Sequence, residues 1–319
     1  MTDAAYHVTE PLSAGMLDVG DGHQIYWETA GNPTGKPAVI LHGGPGAGMS
    51  PRTRRMFDPT RYFIVQFDQR QCGRSTPHAG EAVVDLSTNT TQHLIADIER
   101  LREHVGVDCW LVWGASWGTT LALAYAEEHP AHVSEMILAS VGTTSRSEVE
   151  WITRAMGRVF PEQWERFRDG VRTDDRDGDL AAAYARLLES PDPEVHERAA
   201  TRWCEWEDTH VATYPGYEHE TRYDDPRFRL CFARLVTHYW SSAGFLENGQ
   251  LFRNAHRLAG IPILMVHGQL DISGPLDTAW ELNKVLPDAE LVVIGDEGHG
   301  GGDSMLGAII AATDRLARS

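Results

Sequence analysis

The sequence predicts an α/β architecture, a mostly parallel, doubly wound sheet interrupted by an inserted helical cap. Three observations carry this expectation. Short apolar runs alternate with amphipathic segments, the pattern of buried parallel strands joined by crossover helices. Gly114-Ala115-Ser116-Trp117-Gly118 lies between the strand-like run Cys109-Trp110-Leu111-Val112-Trp113 and a helix-like stretch bearing Leu121, Ala122, Leu123, Ala124 and Tyr125. Strand-like runs then disappear near residue 141 and return near 262.

Taken in order, Met16-Leu17-Asp18-Val19, the turn Gly20-Asp21-Gly22 and Gln24-Ile25-Tyr26-Trp27-Glu28 form a hairpin signal. Ala38-Val39-Ile40-Leu41 and Tyr62-Phe63-Ile64-Val65 read as buried strands, each ending in a loop dense in Gly, Pro or charge. Residues 91–104 set Leu94, Ile95, Ile98 and Leu101 on one helical face. A further strand is expected at Met136-Ile137-Leu138. Helices follow over 148–159, 161–167, 180–189, 193–207 and 226–240, punctuated by Gly, Pro and Asp. Strands resume with Pro262-Ile263-Leu264-Met265-Val266 and Leu291-Val292-Val293-Ile294. The expected division is a core of residues 1–140 and 259–319, split by a cap or lid of residues 141–258.

A chain of 319 residues, 42% hydrophobic, is long enough to bury a full core. The net charge of -18 disfavours nucleic acid and anionic membrane surfaces, because an acidic surface repels polyphosphate. No apolar stretch is long enough for a transmembrane helix, and the first twelve residues lack a secretory pattern, so the expected compartment is the cytoplasm. Cys72, Cys109, Cys204 and Cys231 lie far apart in no metal-binding spacing, which favours free thiols. Neither a cofactor nor a metal is expected.

The pentapeptide around Ser116 has the Gly-x-Ser-x-Gly form of a nucleophile elbow. Such a turn strains the serine backbone, and its glycines are required because a side chain there would collide with strand or helix. A serine hydroxyl needs a histidine as base and a carboxylate to orient that histidine. In the α/β-hydrolase arrangement these follow in the order Ser, Asp, His. Asp271 and His299 each stand five residues beyond a late strand, at the sheet edge where open α/β folds place their sites. The expected triad is therefore Ser116, Asp271 and His299. Asp296 is the weaker rival acid, since it shares a short loop with His299. His267 is assigned to the strand-end turn and His42 to a glycine loop.

Acyl transfer also needs backbone NH groups for the oxyanion. Trp117, directly after the nucleophile, is one expected donor. The other lies in His42-Gly43-Gly44-Pro45-Gly46 after an early strand, with Gly44 the first choice and Gly43 next.

Together with Phe67-Asp68-Gln69-Arg70-Gln71-Cys72-Gly73-Arg74-Ser75, these motifs closely resemble those of the proline iminopeptidases, or prolyl aminopeptidases. The likeness spans nearly the whole chain, including Phe160-Pro161-Glu162-Gln163-Trp164-Glu165-Arg166-Phe167 and Trp203-Cys204-Glu205-Trp206-Glu207. It implies an α/β-hydrolase core with a helical cap and release of an N-terminal proline from small peptides by a serine peptidase. It also implies that Glu207 binds the substrate's free amine, a cation whose burial requires an anionic partner.

Three departures accompany the resemblance. Val236 stands where the family has a second amine-binding glutamate, Ser140-Val141-Gly142 where it has an aromatic residue, and Gln71 where it has glycine. Glu205, Asp208 and Glu150 are the nearby acids able to replace the missing one. An alternative keeps the triad but makes the enzyme an esterase or amidase for a small metabolite. A non-catalytic binding protein on the same fold is the remaining reading, and all three triad residues speak against it.

Overall fold

The computed structural model describes residues 5–81, 84–211, 213 and 219–318. Its centre is an eight-stranded sheet in the order β1-β2-β4-β3-β5-β6-β7-β8. The strands are β1 (Ser13–Gly20), β2 (His23–Gly31), β3 (Lys36–Leu41), β4 (Tyr62–Phe67), β5 (Trp110–Ala115), β6 (Val133–Ala139), β7 (Ile263–Gly268) and β8 (Ala289–Ile294). From β4 to β8 every pairing is parallel, while β1 and β2 pair antiparallel and β2 meets β4 antiparallel. The α/β-hydrolase expectation holds.

The β1–β2 turn follows from its residues: Gly20, Asp21 and Gly22 all adopt positive φ, which glycine and aspartate tolerate best. Helix α1 (Thr91–His104) buries Leu94, Ile95, Ile98 and Leu101 as its periodicity predicts. Helix α2 (Trp117–Glu128) is buried on nearly every side, which is why its sequence is apolar all round.

Between β6 and β7 the described elements are all helical: α3 (Arg146–Thr153), α4 (Pro161–Arg168), α5 (Leu180–Leu188), α6 (Pro193–Val211), α7 (Pro226–Ser241) and the short α8 (Gln250–Arg253), with 3-10 turns between. Polar caps set several of their starts. Ser145 and Glu148 form a reciprocal capping box on α3, and the Asp179 and Asp225 side chains accept amides at the starts of α5 and α7. After β7 come α9 (Leu276–Val285) and, at the end, α10 (Asp303–Leu316).

Period-two alternation fills both faces of the sheet. Val39 and Leu41 join Val65, Phe67 and Val112 against α1 and α2, whereas Ala38 and Ile40 join Ile64 and Leu111 against Met305, Ile309 and Ala312 of α10. Helices α3 to α7 have a separate core around Phe167, Tyr184, Trp203 and Trp206, with the Phe167 and Tyr184 rings stacked 4.8 Å apart. Leu251, Ala255 and Leu258 pack with the sheet core and not with this helical layer, although they fall inside the 141–258 segment. No helix among the described residues is long and apolar enough to cross a membrane.

Candidate active site

Ser116 joins β5 to α2 with φ 53° and ψ −124°, a conformation that L residues avoid. The reason it persists lies in its neighbours. A Cβ on Gly114 would come within 2.3 Å of the Gly118 carbonyl oxygen, and one on Gly118 within 2.2 Å of the Leu41 carbonyl oxygen. Strand and helix therefore cross at a spacing that only glycine permits, and the serine is thrust out of the turn. Its amide donates to the Ala139 carbonyl at 3.0 Å, which ties the elbow to β6.

His299 and Asp271 reach Ser116 from the loops after β8 and β7. His299 Nε2 lies 3.0 Å from Ser116 Oγ, and His299 Nδ1 lies 2.9 Å from Asp271 Oδ2. Asp271 is buried, and its other oxygen accepts the Gly274 amide at 2.8 Å. Burial pushes its carboxyl up, but the charge and hydrogen bond of His299, with His267 and the Gly274 amide, outweigh this and leave it below the ordinary range. For His299 the balance runs the other way: burial pulls the imidazole down, while the Asp271 charge and hydrogen bond, helped by Glu207, raise it. An ionised acid thus holds a histidine of increased basicity against the serine.

His267 has a different task. It ends β7 fully buried, accepting the Val141 amide at Nδ1 (3.0 Å) and donating from Nε2 to the Gly274 carbonyl (2.7 Å). That leaves it a neutral brace for the Asp271 loop, in keeping with a pKa lowered by burial. The rival acid Asp296 is exposed to solvent.

The glycine loop after β3 folds against the elbow. A Cβ on Gly43 would sit 3.0 Å from the Ala115 carbonyl oxygen, and Gly44 has φ 113°. His42 fixes the loop: its Nε2 accepts the Gln69 amide at 3.0 Å, and its carbonyl accepts Gln69 Nε2 at 2.9 Å. Gln69 also accepts the Trp117 indole NH at 2.9 Å, so the loops after β3 and β4 and the start of α2 form one unit. Gln71, which stands where the family has glycine, has φ 66°, a left-handed conformation that suits glycine. Its buried amide is held by the Asp85 carbonyl and Asn89, at 2.8 and 2.9 Å.

Ser116, Trp117, Gly44 and His299 line one cavity of about 80 Å³, roofed by the helical layer. Glu207 reaches it from α6 and is only 7% exposed. Burial pushes its carboxyl up to about 7, against a downward pull from the His299 charge and from the Trp203 indole, whose NH makes no hydrogen bond of normal geometry. Gly142 lies on the wall with Val149, Ile152 and Trp240, so no ring projects from the 140–142 stretch.

The expected substitutes for the missing second acid do not reach the cavity. Glu205 faces outward and pairs with Arg202 at 2.9 Å, Glu150 is exposed, and Asp208 holds His219 at 2.7 Å. Each lies on an outer surface of its helix. Val236 is fully buried in the core of the helical layer and does not line the cavity either. Among the polar wall residues that the sequence did not single out are Glu148, His210 and Ser273. Glu148 carried a signal, the capping-box spacing Ser145-x-x-Glu148. Its carboxylate accepts hydrogen bonds from Thr143 Oγ1 at 2.6 Å, the Ser145 amide at 2.9 Å and Thr278 Oγ1 at 3.0 Å.

Residues 36–302 match the family model described as alpha/beta hydrolase fold. The chain is 52% identical, over 98% of its length and 98% of the relative's, to a probable proline iminopeptidase of Streptomyces coelicolor. It is 43% identical to the proline iminopeptidase of Xanthomonas citri, over 98% of this chain and 99% of that one. Among solved structures, the proline iminopeptidase of Mycobacterium smegmatis superposes with a TM-score of 0.62 at 17% identity, covering 96% of this chain and 99% of that chain, a likeness of fold. The chain belongs to the α/β-hydrolase fold family and, within it, to the proline iminopeptidases.

Proposed function

We propose that the protein is a serine aminopeptidase that releases an N-terminal residue, proline foremost, from small peptides through an acyl-enzyme on Ser116. The observation that carries this reading is the conjunction of the Ser116–His299–Asp271 chain with a buried carboxylate, Glu207, on the wall of the same cavity. In this scheme His299 Nε2 takes the Ser116 proton as Oγ attacks the scissile carbonyl. Asp271 holds the Nδ1–H tautomer and stabilises the imidazolium. The same proton then passes to the departing amine, and water, activated in turn by His299, releases the acid. The Gly44 and Trp117 amides take the oxyanion; the Trp117 amide opens a helix, where it has no acceptor within the helix. Gly43 is the hydrogen-only position that lets this loop approach Ser116.

Glu207 in this reading pairs with the substrate's terminal ammonium and so fixes the scissile bond one residue from the end. Helices α3 to α7 serve as the lid that shuts out longer N-terminal extensions. Four free cysteines accord with a cytoplasmic setting. A panel of prolyl-, alanyl- and leucyl-naphthylamides beside 4-nitrophenyl butyrate tests the assignment. The prolyl amide should have the highest kcat/KM of the amides. A preference for the amine-free ester over every amide would overturn this reading in favour of a small-molecule esterase.

A further inference from the structure

His210 stands one helical turn beyond Glu207 on α6, and it lines the cavity beside Ser116 and His299. Its tautomer follows from its partner. Ser273 Oγ donates its only proton to the His210 carbonyl oxygen at 3.0 Å, so at 2.8 Å from His210 Nδ1 it can only accept. Nδ1 therefore carries the hydrogen, and Nε2 of the neutral ring presents a bare lone pair. The ring is 2% exposed, and burial keeps it uncharged, lowering its pKa to about 3. Nε2 has no hydrogen-bond partner among the described residues and lies 3.3 Å from Glu207 Oε2.

Glu207 Oε2 and the His210 Nε2 lone pair thus face one another in a buried wall, a costly arrangement unless a proton or a donor bridges them. Building on the aminopeptidase reading, we propose that Glu207 and His210 together form a two-acceptor seat for the substrate's terminal amine, with His210 Nε2 in the role that a second glutamate plays elsewhere in the family. The seat selects among amines. A secondary ammonium, as in N-terminal proline, carries two N–H bonds and satisfies one acceptor with each. A primary ammonium carries three and must place one more N–H than the Glu207 Oε2–His210 Nε2 pair accepts. In the empty cavity the Glu207 carboxyl, whose pKa is about 7, supplies the bridging proton, and the arriving ammonium displaces that proton to solvent.

The test is the pair of substitutions His210→Phe, which keeps a ring without the acceptor, and Ser273→Ala, which removes the group that sets the tautomer. Each is measured on prolyl-naphthylamide, alanyl-naphthylamide and 4-nitrophenyl butyrate, with thermal melts to establish folding. For His210→Phe, the kcat/KM ratio of prolyl amide to ester should fall about tenfold or more through KM, and the prolyl-to-alanyl preference should narrow. Ser273→Ala should move both ratios in the same direction by about threefold. Equal losses on amide and ester, or unchanged ratios in a folded variant, would overturn the seat. If His210→Phe does not fold, an unchanged ratio in Ser273→Ala overturns it. A wild-type enzyme indifferent to the free amine would overturn the aminopeptidase reading and the seat together, whereas an amine-dependent enzyme unaffected by either substitution would overturn the seat alone.

Discussion

At the sheet edge, the groups that surround Ser116 are held by backbone with almost no latitude. Gly114 and Gly118 meet carbonyl oxygens at distances no Cβ survives, Ser116 keeps φ 53°, and Asp271 is braced by the Gly274 amide. In the helical layer, Glu207 and His210 ride on one face of α6, and their positions depend on side-chain packing of Phe167, Trp203 and Trp206. The first region fixes chemistry through strain and steric exclusion. In the proposed reading the second sets the choice of substrate, through side chains carried on packed helices.

If this division is right, substitutions in the two regions separate cleanly. The largest effect should come from Ser116→Ala, with kcat/KM reduced by about 10⁴-fold or more on naphthylamide and ester alike. Loss on one substrate class but not the other would place a second nucleophile in the cavity. A fluorophosphonate probe should label the wild-type enzyme and not the variant.

Next in size is Glu207→Gln, which removes the anionic partner but keeps the shape. The prolyl amide-to-ester ratio of kcat/KM should drop about ten- to a hundredfold, the worth of a charge-assisted contact. Should amide and ester fall together, Glu207 would belong to the machinery of attack and the comparison between the two regions would fail.

The resemblance points to Glu207, and the meeting of Ser116, Asp271 and His299 was legible because a strained turn and two strand-end loops impose residue types at fixed places. Ser116, Asp271 and His299 converge because their strands are neighbours in the sheet, β5 next to β6 and β6 next to β7 and β8 in turn. His210 and Ser273 were illegible for the opposite reason. They lie 63 residues apart, on a helix face and a loop, and neither type nor spacing marks the pairing. Sequence proximity does not supply a substitute acid, because Glu205 and Asp208 flank Glu207 along α6 but point to other sides of the same helix.

A smaller effect concerns pH. His299 must be neutral to accept the serine proton, and Asp271 raises its pKa above the ordinary 6.5. The acid limb of kcat/KM should therefore lie above 6.5 on both amide and ester, with activity lost as pH falls through it. Asp271→Asn should move that limb to lower pH; an unmoved limb would deny Asp271 its hold on His299.

The smallest effect separates the two cavity carboxylates. Glu148 is already engaged by Thr143, Ser145 and Thr278, so it serves the loop and the start of α3. Glu148→Gln should destabilise the fold by about 1 kcal/mol in a thermal or urea melt, the worth of a cap. An amine selectivity damaged as severely as by Glu207→Gln would instead enrol Glu148 in the substrate seat.

The most direct test is kcat/KM of the wild-type enzyme for prolyl-naphthylamide against its N-acetyl derivative. Acetylation removes the charge and the N–H donors but leaves the ring and the scissile bond. A division of labour between a sheet edge that attacks and a helical wall that demands a free amine predicts a ratio of about 100 or more in favour of the unblocked substrate. Equal rates would contradict it, leaving Ser116 a nucleophile with no amine to select.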